Sequence, residues 1–227
     1  MAADFFDFLK LCDTIDYFYY CSLILSVAVS ASLFRRSDLP FRWLTILMMV
    51  TLVSESTAKY LAYGLGQSNN IVYHFFVPVE YTLYVVIVNA FLRHKKLSIY
   101  LWLSAVGLAL FEIINTLYAQ PLRVSNTNSI IMEGTLLVIL ALMLFLKIRQ
   151  TFTQQNILRR GVFWIASAML CYYACSIFIW GFHNMKVYLL DNPPHIIYDI
   201  NLLLSGLLYL TYTIAIVINT RNTLQTH

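Results

Sequence analysis

The chain has 227 residues, of which 60% are hydrophobic, 15% aromatic and only 11% charged, with a formal charge of +4. A soluble domain carries about 45–50% apolar and roughly 25% charged residues, so this composition cannot cover a water-exposed surface. Seven glycines and five prolines leave long apolar runs, and stretches such as "LLVILALMLFL" are apolar on every face, which excludes the alternating segments of an outer-membrane barrel.

Helices satisfy all their own backbone hydrogen bonds in lipid. At about 20 apolar residues per crossing, the sequence predicts an all-α bundle of seven transmembrane helices, one domain over residues 1–227. Residues 1–15, "MAADFFDFLKLCDTI", are acidic and broken by charge, so they are expected to be a short extracytoplasmic segment that is retained rather than cleaved. The spans follow at 16–34, 43–64, 70–92, 98–119, 127–148, 161–182 and 195–218.

The connections alternate in charge. "RRSDLPFR" (35–42), "RHKK" (93–96), "KIRQTFTQQNILRR" (147–160) and the tail with Arg221 are basic, whereas "GLGQSNN", "AQPLRVSN" and "HNMKVYLLDNPPH" are nearly uncharged. Eleven of the fifteen Lys and Arg residues fall in the basic set, leaving Lys10, Lys59, Arg123 and Lys186. Cytoplasmic loops collect Lys and Arg. The expected topology is therefore N-terminus outside and C-terminus cytoplasmic, in a bacterial inner membrane. All connections are short, so any message to the cytoplasm is expected to pass to a separate partner protein.

Polar residues inside the spans fall on one side of that topology. Span two runs outward and carries Glu55 and Lys59 in its outer half; their Glu-before-Lys spacing of four suits mutual neutralisation. Span three enters from outside, with His74 near the interface and Glu80 about 15 Å deeper than its first residue at 1.5 Å per residue. Glu112 and Asn115 lie in the outer third of span four. Asn126, Ser129 and Glu133 stack on one face of span five, and span seven brings His195, Asp199 and Asn201. Spans three, five and seven share a weak repeat, with Asn70, Asn126 and His195 at the entry and Glu80, Glu133 and Asn201 deeper.

A charge at mid-membrane costs about 3 kcal/mol or more, so these side chains are expected to face the bundle interior rather than lipid. Glu55 aside, Glu80, Glu112, Glu133 and Asp199 have no resident cation except nearby histidine. They cannot all stay ionised in low dielectric: some are protonated, or a positive ligand neutralises them. A single pair such as Glu112 with Asn115 suits interhelical hydrogen bonding that fixes the packing, whereas the whole set suits a binding or transport cavity open to the outside. Cys12, Cys21, Cys171 and Cys175 form no CxxC pattern, and the Ser167, Cys171, Cys175 face reads as close helix packing. Trp43, Trp102, Trp164 and Trp180 read as interfacial belt residues; Tyr198, Tyr209 and Tyr212 lie near the polar stripe of span seven.

Three function classes are compatible with this pattern. A sensor or signalling partner binds a small or cationic ligand in the outer cavity; a transporter or channel uses the carboxylates as ion or proton sites; an intramembrane hydrolase uses them with histidine. Span seven lacks the HxxxH pair of ceramidase-like and progestin-receptor-like proteins, having Asp199 four residues after His195, and no metal site is expected. It also lacks a lysine for a retinal Schiff base. Nothing points to nucleic acid or to an identifiable cofactor.

The segments "LVSESTAKYL", "NNIVYHFFVPVEYTLY", "NSIIMEGTLLVIL", "GVFWIASAMLCYY" and "HIIYDINLLLSGLLY" together resemble a family of bacterial seven-helix integral membrane proteins of no assigned activity. The resemblance covers most of residues 40–215. It implies that Glu55, Glu80, Glu133, His195 and Asn201 belong to one site.

Overall fold

A computed structural model describes residues 14–151, 157–189 and 196–225. Among these residues the long elements are all helical, and no strand occurs. The helices are α1 (Thr14–Leu33), α2 (Leu39–Lys59), α3 (Asn70–Leu92), α4 (Lys95–Tyr118), α5 (Thr127–Thr151), α6 (Gly161–Leu189) and α7 (Ile196–Gln225). One helix answers to each expected span. Six are long and apolar enough to cross a membrane; α2 falls short because Arg42, Glu55 and Lys59 dilute its hydropathy.

Local chemistry sets the helix ends. α2 opens with Pro40 in its first turn, where a missing N–H is no loss and the fixed φ suits a helix. It gives way at Tyr60–Gly64 to a π turn, and Gly66 reverses the chain in a left-handed conformation at φ 61°. α3 ends on Arg93, also left-handed at φ 49°. The next residue but one starts α4, whose His94 side chain accepts from the Leu97 N–H at 3.4 Å. α6 and α7 run past the expected limits of 182 and 218. Their polar extensions contain no Pro or Gly, so the hydrogen-bond ladder continues beyond the apolar stretch.

α1 packs on α2 and α7, α2 on α3, α3 on α5, α5 on α6, and α6 on α7. Six helices thus close a ring, and α4 sits outside it against α3 and α5. α4 is also the least buried of the candidate spans, with 22% of its apolar window buried. Leu23, Leu44, Met48, Leu137, Ile165, Met169 and Tyr212 are wholly enclosed. On the outside Val53, Phe75, Leu117 and Phe178 are each more than 60% exposed, an apolar coat that suits acyl chains and not water. Cys171 and Cys175 belong to that coat: both are exposed, so they do not serve the helix contact expected of them. The contact is made instead at Gly161. A methyl there would lie 2.5 Å from the Ala215 carbonyl and 2.8 Å from the Phe41 ring.

Candidate functional site

At the end of the bundle where α2 finishes and α3, α5 and α7 begin, a cavity of about 420 Å³ opens. All six ring helices line it, and α4 lines none of it. Glu55 comes from α2, Glu80 from α3, Glu133 from α5 and Asn201 from α7. These positions lie about one to three turns from the same end of the bundle, Glu55 near the finish of its helix and the others near the starts of theirs.

Their hydrogen bonding is incomplete. The Tyr73 hydroxyl donates to Glu55 Oε2 at 3.3 Å, and the Tyr173 hydroxyl donates to Glu80 Oε1 at 2.9 Å. Glu133 is only 3% exposed, yet its Oε1 has no hydrogen-bond partner. Asn201 Oδ1 is likewise buried and unpartnered. Two residues of the cavity wall therefore each bury an acceptor with nothing to accept, which costs about 1–3 kcal/mol each, more for a charged group.

Lys59 makes its ion pair with Asp16 and not with Glu55, the partner its spacing suggested. Its ammonium reaches Asp16 Oδ1 at 3.1 Å, and it lies 5.5 Å and 5.2 Å from the ring centroids of Tyr20 and Tyr63. The i, i+4 attraction between exposed helix residues is a few tenths of a kcal/mol, so a carboxylate offered by α1 together with two aromatic faces outweighs it. Lys59 is the one Lys, Arg or His among the described lining residues. Asp16 occupies it, and three glutamates remain.

Behind the cavity the hydroxyls form a chain. From Glu80 it runs to Tyr173, then to Tyr84 at 3.0 Å and on to Tyr212 at 2.9 Å. Each phenol has one proton. With Glu80 ionised, every hydroxyl must donate toward the carboxylate; with Glu80 protonated and donating, the order reverses. The direction of the chain thus follows the proton on one acid at the cavity wall. Pro78, one turn before Thr82, lacks the N–H that would bond the His74 carbonyl.

His74, Glu112 and Asn115 do not share the cavity. They form a second network where α4 ends and α5 begins. His74 Nδ1 lies 2.7 Å from Glu112 Oε1, and Nε2 lies 3.2 Å from the Val124 carbonyl. Nδ1 also lies 3.0 Å from the Thr116 hydroxyl, which donates to Glu112 Oε1 at 3.2 Å. Asn126 Nδ2 donates to both Glu112 oxygens at 3.0 Å, while Asn115 Nδ2 reaches Gln120 Oε1 and Asn126 Oδ1 at 3.1 Å. Asn128 Nδ2 donates to Asn115 Oδ1 at 3.1 Å. A fully paired buried network of this kind fixes geometry. Its place at the edge of the ring follows from that of α4, and Asn126, which also lines the cavity, adjoins both.

No family model, curated protein or solved structure matches this chain.

The residues thus divide by chemistry alone. Glu55, Lys59, Glu80, Glu133 and Asn201 line the cavity. Asp199 is half-buried on α7 and is not among the lining residues; His195 lies outside the described residues. Asp16 lines the cavity although it reads as the edge of an acidic tail, and Tyr19, Tyr73, Tyr172 and Tyr173 line it although they carry no charge. Trp180, expected in the interfacial belt, also lines it, with the His183 ring 5.4 Å from its centroid and 5.3 Å from that of Tyr198. Of the three tyrosines on span seven, Tyr198 and Tyr209 line the cavity, while Tyr212 is sealed behind it. A position of Tyr19 beside Asp16 and of Tyr73 on the face of Glu80 was available in the spacing, but aromatic residues at such spacing commonly serve a core; Tyr172 had no such signal, since α6 carries no acid. Among the described residues, no three His, Cys, Asp or Glu side chains converge as metal ligands.

Proposed function

We propose that this chain is a seven-span protein of the bacterial inner membrane, N-terminus outside, whose outward cavity binds a small cation bearing N–H donors. Occupancy would then be passed to a separate cytoplasmic partner. Membership of the seven-helix family it resembles is part of the same proposal. The single observation that carries it is the Glu133 carboxylate in the wall of a cavity whose lysine is already held by Asp16, with its Oε1 buried and unpartnered. Unpaired carboxylates in low dielectric favour a positive ligand, and orphan acceptors favour one that can donate. An ammonium or a guanidinium does both. Tyrosine and tryptophan faces in the wall add attraction for any cation. Because Glu80, Glu133 and Asn201 stand on three different helices, a ligand bridging them favours one packing of those helices over another, which is what a sensor requires.

The full-length chain in detergent micelles provides the test, by thermal unfolding followed through tryptophan fluorescence. Methylamine and arginine methyl ester are expected to raise Tm saturably. Tetramethylammonium, which has no N–H, and sodium chloride at equal ionic strength are not. The E133Q substitution is expected to abolish the response. Equal shifts from all four salts, or none from any, would sink the proposal.

Proton-coupled transport is a second reading, favoured by the Glu80–Tyr173–Tyr84–Tyr212 chain. It predicts that Tyr173→Phe, which cuts the chain at its first hydroxyl, abolishes proton flux into proteoliposomes while leaving amine binding in place. Flux unchanged in that variant rules the chain out as the route.

A further inference from the structure

At the opposite end of the bundle, among the basic connections, a second cavity of about 750 Å³ lies between the starts of α2 and α6 and the ends of α3, α5 and α7. Arg93, Lys147 and Arg160 line it, and Asp38 is the one carboxylate among its described lining residues. The first turns of α2 and α6 form part of the wall, and helix starts carry positive dipole ends that attract anions. Leu39 and Phe91 supply apolar surface beside the cations, and Leu39 is 59% exposed. We propose that this cavity binds a phosphate-bearing anion, for which the headgroup of an anionic phospholipid and a soluble phosphate compound are the two sources of the same chemistry.

The positive-inside tendency accounts for Lys and Arg in these loops, but it asks only for charge near the membrane. It does not ask that three cations from two separate connections border one cavity. Nor does it explain Arg93, which stands at φ 49° where α3 ends. Helices ordinarily place glycine at such a position, since a side chain there is strained. An arginine held in that conformation is turned to use by a cavity that needs its charge. Basic pockets between membrane helices are known receptors for phospholipid headgroups. No residue lines both this cavity and the acidic one, so the two proposals stand or fall separately.

Thermal unfolding of the full-length chain in dodecyl maltoside, with phosphatidylglycerol, phosphatidylcholine or inorganic phosphate added, tests it. Phosphatidylglycerol is expected to raise Tm by several degrees and phosphatidylcholine to leave it unchanged. If inorganic phosphate alone matches phosphatidylglycerol, the anion site stands and its ligand is soluble; if it does not, the ligand is the lipid. Arg93→Gly separates binding from folding, because glycine relieves the backbone strain while removing the charge. Its Tm without additive is expected to be no lower than that of the parent chain, and the anion-dependent shift is expected to be lost. Asp38→Asn is expected to enlarge the shift, since the Asp38 side chain makes no capping hydrogen bond that the change would break. An Arg93→Gly variant that keeps the full shift, a D38N variant with a smaller one, or equal shifts from both lipids overturns the proposal.

Discussion

Glu133 and Glu112 are the same residue type at almost the same burial, 3% and 5% exposed, yet their surroundings differ. Glu112 accepts from Asn126 and lies 2.7 Å from His74 Nδ1; Glu133 Oε1 accepts from nothing. Glu112→Gln would set an amide N–H against the donors of Asn126 and break the pair with His74. Loss of one partner of a buried pair costs about 3–5 kcal/mol, so a fall in Tm of many degrees is expected, with the amine response retained in whatever protein stays folded. Glu133→Gln has no partner to lose. Its Tm is expected to equal or exceed that of the parent chain while the amine response disappears. Parallel unfolding curves for the two variants check the contrast, and a Glu133→Gln protein as fragile as Glu112→Gln contradicts it.

Among the elements, α4 best shows how helix placement decides function. Its sequence carries Glu112 and Asn115 at the same depth as the cavity acids, but it packs on the outside of α3 and α5 and never borders the cavity. Two inward-facing polar residues bind it to the ring through the α4–α5 connection. Ring closure depends on a different residue. The start of α6 approaches α7 and α2 so closely at Gly161 that a methyl would meet a backbone carbonyl at 2.5 Å, and backbone cannot swing aside as a side chain can. Gly161→Ala is therefore expected to lower stability by about 1–3 kcal/mol, the usual range for overpacking, despite the higher helix propensity of alanine. Denaturation in a mild detergent series measures it; a neutral or stabilising result removes the close approach as a constraint.

The molecule as a whole has two chemically opposite ends. One holds three glutamates around a lysine already paired, and the other holds Arg93, Lys147 and Arg160 around a single aspartate. Under the proposed orientation the acidic cavity opens outward and the basic one inward. In a background with the native cysteines replaced, a membrane-impermeant maleimide applied to intact cells is expected to label Gln67→Cys. Lys95→Cys, in a basic connection, is expected to react only after permeabilisation. Reversed labelling leaves both cavities in place but exchanges the compartments that each one samples.

Helical class, helix number and the approximate limits of each helix followed from the sequence alone, because in lipid every backbone group must be paired within its own segment and apolar length then marks the helices, six of the seven being long and apolar enough to cross a membrane. That Glu55, Glu80 and Glu133 lie in the same half of the bundle was legible for the same reason, as depth is residue number times a fixed rise. Rotation about each helix axis, and the order of helices around the bundle, were not legible. Runs that are apolar on all sides carry almost no periodicity to show which face turns inward. Hence only the tertiary structure decided that α4 lies outside the ring, taking Glu112 into a network with His74. It likewise decided that Lys59 pairs with Asp16 rather than Glu55, and that Glu133 is left without a partner: hydrogen-bond partners from distant segments are chosen by packing, not by spacing along the chain.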